Sequence, residues 1–322
     1  MPAPTLPSPA SGGGSGRGRD EPDTRCGYVA LIGAPNAGKS TLLNQLVGRK
    51  LAIVTPKVQT TRSRLLGIAI AGLAQLIFVD TPGIFAPRRR LDRAMVAAAW
   101  AGAADADETV LLVDAANATR RGVDRDTRHI LDRLAATARH AILALNKIDL
   151  VRRDALLGLA DELFQSGVFA HVFMISALSG DGVADLTRHL AASVPPGPWL
   201  FPGDQLSDAP ERWIAAEVTR EQVFLQLHDE LPYAATVETE SWQERADGSA
   251  RIDQVIYVQR PSQRAIVLGE GGQRIKAIGA RARAELEQML ERRIHLFLFV
   301  KVRENWIEDP ERYAALGLDY NA

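Results

Sequence analysis

One short run limits the folds open to this chain. Gly33-Ala34-Pro35-Asn36-Ala37-Gly38-Lys39-Ser40 matches G-x-x-x-x-G-K-S/T, and Thr41 follows it. An apolar stretch, YVALIG from Tyr28, leads into the run, and a helical pattern from about Lys39 to Val47 leads out of it. Strand, glycine-rich turn and helix are the setting in which the motif has a mechanism. Glycine lets the backbone wrap closely, so successive N–H groups and the helix N-terminus point at phosphate oxygens. Lys39 is then placed to reach β- and γ-phosphates, and the Ser40 hydroxyl to bind Mg²⁺.

The chain continues in the same style. RLLGIAIA and QLIFVD flank Gly72 and read as an antiparallel hairpin; ETVLLVD, HAILALNK and HVFMISA follow, interleaved with helical patterns. Strands spaced by helices predict a mostly parallel sheet covered on both faces, with ligands at the carboxyl ends of its strands. Helical periodicity stops near Ser193, and Val194 to Pro210 carries five prolines. Proline blocks helix continuation and restrains its predecessor, so a linker or structured connection is expected there. Beyond it come a helix over about 211–230, two strands separated by a turn at 246–249, a second glycine-rich turn, a helix over about 273–291 and a last strand, HLFLFVKVR. The expected units are a tail over 1–25, a first domain over 26–194, a linker over 195–210, a second domain over 211–304 and a C-terminal tail over 305–322.

Composition excludes several alternatives. Cys26 is the only cysteine in 322 residues, so no intramolecular disulfide can form, and a reducing compartment, the cytoplasm, is expected. The six histidines show no metal-ligand spacing, which argues against a structural zinc site. Residues 1 to about 23 are rich in Pro, Gly and Ser and are read as disordered, with no secretory signal. The most apolar run, Ile68 to Val79, is too short to cross a bilayer.

Two further motifs fall at strand ends. Asp80-Thr81-Pro82-Gly83 closes QLIFVD forty residues after Ser40. Its carboxylate is expected to face the metal and the Gly83 amide a γ-phosphate. Asn146-Lys147-Ile148-Asp149 follows AILAL, and Ser176-Ala177 follows HVFMI. A carboxylate at Asp149 can accept from N1–H and the 2-amino group of guanine, a pair adenine lacks. Leaving that acceptor unpaired costs about 1–3 kcal/mol or more, so guanine is the expected base. Asn146 is expected to tie loops together, Lys147 to lay its aliphatic stem on the base, and the Ala177 amide to meet guanine O6.

In this order, GxxNxGKST, QTTR, DTPG, NKID and SA resemble the translation-factor-related GTPases, and QTTR resembles the Era family. The resemblance implies that Gln59-Thr60-Thr61-Arg62 is switch I, with Thr61 as the second Mg²⁺ ligand beside Ser40 and Asp80, and Thr60 the lesser candidate. It makes Lys39, Thr61, Gly83 and Asn36 the catalytic set and implies a GTP/GDP cycle. Where many GTPases carry a water-orienting glutamine after Asp-x-x-Gly, this chain has Ile84, which neither donates nor accepts a hydrogen bond. Slow intrinsic turnover follows. In related GTPases an asparagine at the position of Asn36 helps bind K⁺; a turn-capping role is the equal alternative.

The second part adds Gly269-Glu270-Gly271-Gly272, followed by Arg274 and Lys276, between two helical patterns. From Arg260 to Arg303 ten basic residues face four acidic ones. In a KH domain a G-x-x-G loop lets backbone approach a single strand and clamp about four nucleotides. The resemblance, which covers about 27–318, implies an α/β P-loop NTPase G domain followed by an α+β type II KH domain. It also implies as partners the 3′ end of 16S ribosomal RNA and the 30S subunit precursor, a role in small-subunit assembly, and a monomer. Glu270 departs from the family, which often places Lys there. Two readings of other classes compete. One is an RNA-modifying enzyme, for which no catalytic site is visible. The other is a membrane-associated signalling GTPase without direct RNA role, using weak peripheral contact of the basic domain with the inner membrane; no lipidation signal or amphipathic membrane helix supports stable anchoring.

Overall fold

The computed structural model describes residues 24–137, 140–228, 231–304 and 306–322, so the expected disordered tail lies almost wholly outside the described residues. That tail was drawn to residue 25, but Arg25 already belongs to the first strand, where it pairs with Ala74 and donates to Val194 O at 2.6 Å.

The first domain runs β1 (Arg25–Gly33), α1 (Lys39–Val47), β2 (Leu65–Ala71), β3 (Ala74–Asp80), α2 (Arg90–Asp105), β4 (Glu108–Asp114), α3 (Ala115–Arg121), α4 (Arg125–Ala135), β5 (Ala141–Asn146), α5 (Arg153–Phe164), β6 (Phe169–Ile175) and α6 (Val183–Ser193). Its sheet has the order β2-β3-β1-β4-β5-β6; only β2 is antiparallel to its neighbour, joined to β3 by the hairpin at Gly72. Strand β1 is buried on both faces, hence its continuous apolar run. Val29 and Leu31 pack with Leu42 and Leu43 of α1 and Leu186 and Leu190 of α6. Ala30 and Ile32 pack with Ala99 of α2, Ile130 of α4 and Leu159 of α5. The chain leaves β1 for opposite sides of the sheet, β3 on one and β4 on the other, and this reversal opens a crevice at the strand ends. Gly48, at φ 74°, ends α1 and donates to Asn44 O, a left-handed cap that suits glycine.

The proline-rich segment is an ordered strap along the β2–β3 edge. Gln75, fully buried, accepts from the Leu200 and Phe201 amides and donates to Phe201 O, while Ser207 Oγ donates to Leu66 O.

The second domain runs α7 (Glu211–Gln226), β7 (Thr236–Glu244), β8 (Ala250–Val258), α8 (Pro261–Leu268), α9 (Gln273–Leu290), β9 (Ile294–Val302) and α10 (Pro310–Ala315). Helix α7 stops short of the expected 230, ahead of Pro232; residues 229–230 lie outside the described residues. Strand β8 pairs antiparallel with β7 and parallel with β9, the latter connection made by α8 and α9. Val223 of α7, Ile256, Val267, Ile278 and Val300 form the core. The C-terminal tail is packed: Tyr313 and Leu318 join Leu91 and Met95 of α2 in one buried cluster. Among the described residues no helix is long and apolar enough to cross a membrane.

Candidate active site

The loop after β1 is held by close contacts that side chains would spoil. A Cβ on Gly33, at φ 153°, would meet Leu112 O at 2.5 Å; one on Gly38, at φ 100°, would meet Asn146 Nδ2 at 2.2 Å. Lys39 folds back over the loop and donates to Gly33 O and Ala34 O, both at 3.1 Å. Burial pulls its pKa down to about 8, opposed by the charge of Asp80. A polyphosphate over this ammonium would restore its charge.

Ser40, Thr61 and Asp80 meet at one point. Ser40 Oγ donates to Asp80 Oδ2 at 2.8 Å and lies 2.9 Å from Thr61 Oγ1, which itself donates to Asp80 Oδ2 at 3.3 Å. Asp80 is fully buried and its Oδ1 has no hydrogen-bond partner among the described residues. Burial lifts its pKa to about 6, against the pull of Lys39 and of the two hydroxyls. Two hydroxyls and a carboxylate with an orphaned oxygen are the hard donors a Mg²⁺ ion takes, so these residues fit the ion. Thr60 is turned elsewhere: its hydroxyl donates to Lys57 O and lies 2.6 Å from Thr55 Oγ1.

Around this point lies a cavity of about 540 Å³, lined on one side by Pro35, Asn36, Gly38 to Thr41 and Gly83 and on the other by Ile53 to Lys57 and Gln59 to Thr61. Asn36, at φ 63°, donates from Nδ2 to Pro56 O at 3.1 Å and so joins the phosphate loop to the opposite wall of the cavity. Of the Asp-x-x-Gly run, Gly83 borders the cavity, whereas Thr81 and Pro82 are buried and the Thr81 hydroxyl donates to Leu31 O. Ile84 is fully buried and packs in the core with Ala30, Ile32 and Ala99.

Asn146 binds both neighbouring loops, donating to Ala37 O at 2.8 Å and accepting from the Ala177 amide at 2.9 Å. The Ala177 amide, expected to meet guanine O6, is thus engaged by Asn146; Ser176, behind it, accepts from Ser179 N and so stabilises the loop. Lys147, left-handed at φ 68°, sends its ammonium to Asp114 at 2.6 Å, which lays its stem across the cavity wall. Asp149 stands exposed in the single helical turn that follows, Ile148–Leu150.

The second glycine-rich loop is exposed and built on left-handed backbone. Gly269, Gly271 and Gly272 have φ of 72°, 55° and 76°, and a Cβ on Gly269 would press Arg274 Cβ at 2.8 Å. Glu270 and Lys276 point to solvent; Arg274 donates to Ile266 O at 3.1 Å, which braces the loop from within.

Residues 28–147 match the family described as 50S ribosome-binding GTPase, and residues 230–307 match the KH domain family. The chain is 58% identical over 298 residues to GTPase Era of a Bradyrhizobium species, covering 92% of this chain and 96% of that protein. It is also 58% identical over 297 residues to GTPase Era of Rhizobium meliloti, covering 92% and 94%. The chain belongs to the Era family of GTPases. Two solved Era structures superpose on it with TM-score 0.85 at 36% identity, covering 91% of this chain and 99% of theirs: an Aquifex aeolicus Era variant bound to GDP.AlF4⁻, and Era in complex with MgGDPNP and nucleotides 1506–1542 of 16S ribosomal RNA. As an Era protein the chain is a GTPase, a G domain followed by a KH domain.

One residue of this Era site, Asp114, and the contacts of two others, Gln59 and Arg62, are not legible in the sequence. Asp114, at the end of β4, caps α3 through Asn117 N and anchors Lys147; only its place at a strand end signals it. Gln59, at φ 57°, borders the cavity but gives its amide to Asp92 Oδ1 at 3.1 Å. Arg62 leaves the G domain altogether: buried to 4% exposure, it donates to Ala235 O at 2.9 Å and to Pro232 O and Tyr233 O at 3.2 Å. No sequence signal announced that contact.

Proposed function

We propose that this Era-family GTPase couples Mg²⁺-dependent GTP hydrolysis to binding of single-stranded RNA, the 3′ end of 16S ribosomal RNA, during assembly of the 30S subunit in the cytoplasm. One observation carries the reading: residues 50–62 both line the nucleotide cavity and bond to the second domain. Val54 N donates to Glu221 at 2.7 Å and Lys50 pairs with Glu221 at 2.5 Å, while Thr55 to Lys57 and Gln59 to Thr61 line the cavity opposite Asn36 and Lys39. A segment so shared transmits the presence of a γ-phosphate to the KH domain. The Era complex with 16S ribosomal RNA nucleotides supports the choice of RNA.

Ser40, Thr61 and Asp80 hold the ion. With the ion held there, these residues would supply charge neutralisation to the phosphoryl group as it is transferred. The loop amides from Ala34 to Thr41 and the Lys39 ammonium orient the triphosphate, the Gly83 amide meets its γ-phosphate, and Asp149 selects guanine. Ile84 lies in the core and cannot orient water, so intrinsic turnover is slow. With Nδ2 given to Pro56 O, Asn36 Oδ1 remains an acceptor for K⁺ against the phosphates. Gly269 to Gly272 clamp the RNA backbone, with Arg274 and Lys276 beside them.

Crosslinking in ribosome-containing extract, with a non-hydrolysable GTP analogue and with GDP, tests the whole. Crosslinks should map to the 3′ end of 16S ribosomal RNA and depend on the nucleotide. Crosslinks absent in both states, or retention on anionic vesicles that survives charge reversal at Arg274 and Lys276, would favour the membrane reading instead.

A further inference from the structure

Thr61 sits between two residues that are both anchored in the second domain. Arg220 of α7 donates from Nη2 to Thr60 O at 2.6 Å, and Arg62 is bonded to the three carbonyls at 232, 233 and 235. Thr60 O and the Arg62 side chain are thus fixed on either side of Thr61, whose hydroxyl lies toward Ser40 and Asp80. Arg220 is itself held hard. It is 2% exposed, bonded to Glu217 through Nε at 2.7 Å and also through Nη2, and stacked 5.1 Å from the Phe224 ring, on which Arg62 also lies at 5.4 Å. Trp213 and Glu217 from the same helix close a cavity of about 10 Å³ whose other walls include Thr61, Ser63 and Asp80. That is room for about one water molecule, so α7 forms the back wall of the metal site.

Burying two neighbouring guanidinium groups against one carboxylate is costly. Arg62 and Arg220, 4% and 2% exposed, lie over the same Phe224 ring. Such a pair persists only where the geometry it enforces is needed or where many bonds repay desolvation.

We propose that Arg220, a KH-domain residue, is a positioning residue for GTP hydrolysis: through the Thr60 carbonyl it fixes the Thr61 hydroxyl at the metal site. The second domain is therefore part of the hydrolytic machinery, and whatever moves α7 against residues 60–62 changes the rate of hydrolysis. The inference rests on Thr61 as a metal ligand, proposed above.

The test uses the full chain: Arg220→Gln, Thr61→Ala, the two together, and Glu217→Leu/Arg220→Met, which removes the Arg220–Glu217 pair together and leaves Arg62 on its three carbonyls. Phosphate release at saturating GTP, the half-saturating Mg²⁺ concentration and the affinity for fluorescent GDP are measured. Since misplacement by about 1 Å can cost about 100-fold, the Arg220 variants should lose about tenfold or more in kcat and need more Mg²⁺. GDP affinity should hold. In the Thr61→Ala background Arg220→Gln should add nothing, because it acts through Thr61. Parental kcat and Mg²⁺ dependence in both Arg220 variants, or losses that multiply with Thr61→Ala, would overturn the inference while leaving Thr61 as a ligand. Parental hydrolysis by Thr61→Ala would overturn the ligand reading and this inference with it.

Discussion

Replacing Asp80 with asparagine separates the binding role of that carboxylate from its cost to the fold. Asp80 is fully buried, and its pKa rises from 3.8 to about 6. A carboxyl whose folded-state pKa lies above its unfolded value favours the protonated form on folding, so the penalty is absent below the unfolded pKa and grows as pH rises toward 6. The shift of about two units is worth about 3 kcal/mol at pH 7.5, and the same linkage leaves about half of that at pH 5. Without nucleotide and with Mg²⁺ chelated, Asp80→Asn should therefore be more stable than the parent by up to about 3 kcal/mol at pH 7.5. This is an upper bound, because Lys39 loses its counter-charge in the variant. Asparagine keeps an oxygen for the Ser40 hydroxyl, so the comparison isolates the charge. The assay is urea denaturation followed by tryptophan fluorescence in EDTA at pH 7.5 and pH 5. The gain should shrink at the lower pH, and Mg²⁺, which stabilises the parent, should do little for the variant. A variant less stable than the parent at both pH values, or a gain that ignores pH, would refute the electrostatic reasoning.

Other outcomes follow from the same geometry. Gly38→Ala brings a Cβ to 2.2 Å from Asn146 Nδ2 in left-handed backbone. Strain of about 1–2 kcal/mol plus a broken buried hydrogen bond should weaken GDP binding by about 30-fold or more, read by fluorescence titration. Phosphate release should be faster in K⁺ than in Na⁺; equal rates would leave Asn36 with only its bond to Pro56. Glu270→Lys should tighten single-stranded RNA binding and steepen the slope of log affinity against log salt by about one, whereas an unchanged slope would place the RNA away from this loop. Asp149→Asn should abolish the preference for GTP over ATP in competition with fluorescent GDP; an untouched preference would remove Asp149 from base selection.

Much of this was legible because it is local. The phosphate loop, the strand runs and the G-x-x-G turn are written in consecutive residues, where glycine placement and apolar period determine backbone geometry before any distant contact forms. Helix α1 begins at Lys39 and ends at Val47 as its pattern says, with Gly48 as its cap. The candidate metal donors Ser40 and Asp80 were legible too, since each sits at a motif, and the structure brings their side chains together at 2.8 Å. The preference for Thr61 over Thr60 came from the family resemblance, since the two hydroxyls are chemically alike; the structure adds the physical difference, the bonds of Thr60 to Thr55 and Lys57 that turn it away.

What the sequence offers by itself is local chemistry: a G-x-x-x-x-G-K-S/T loop, a carboxylate in Asn-Lys-x-Asp, hydroxyl and carboxylate donors suited to a hard cation, and a G-x-x-G turn in a basic second domain. Tertiary structure alone decided how these are joined. It seated Arg62 in the KH domain, brought Arg220 to Thr60 from 160 positions away, engaged the Ala177 amide with Asn146 and laid the C-terminal residues on α2. The reason is physical. Such contacts pair residues remote in sequence, and a local pattern records a residue's own backbone preference and exposure but not the partner that folding brings to it.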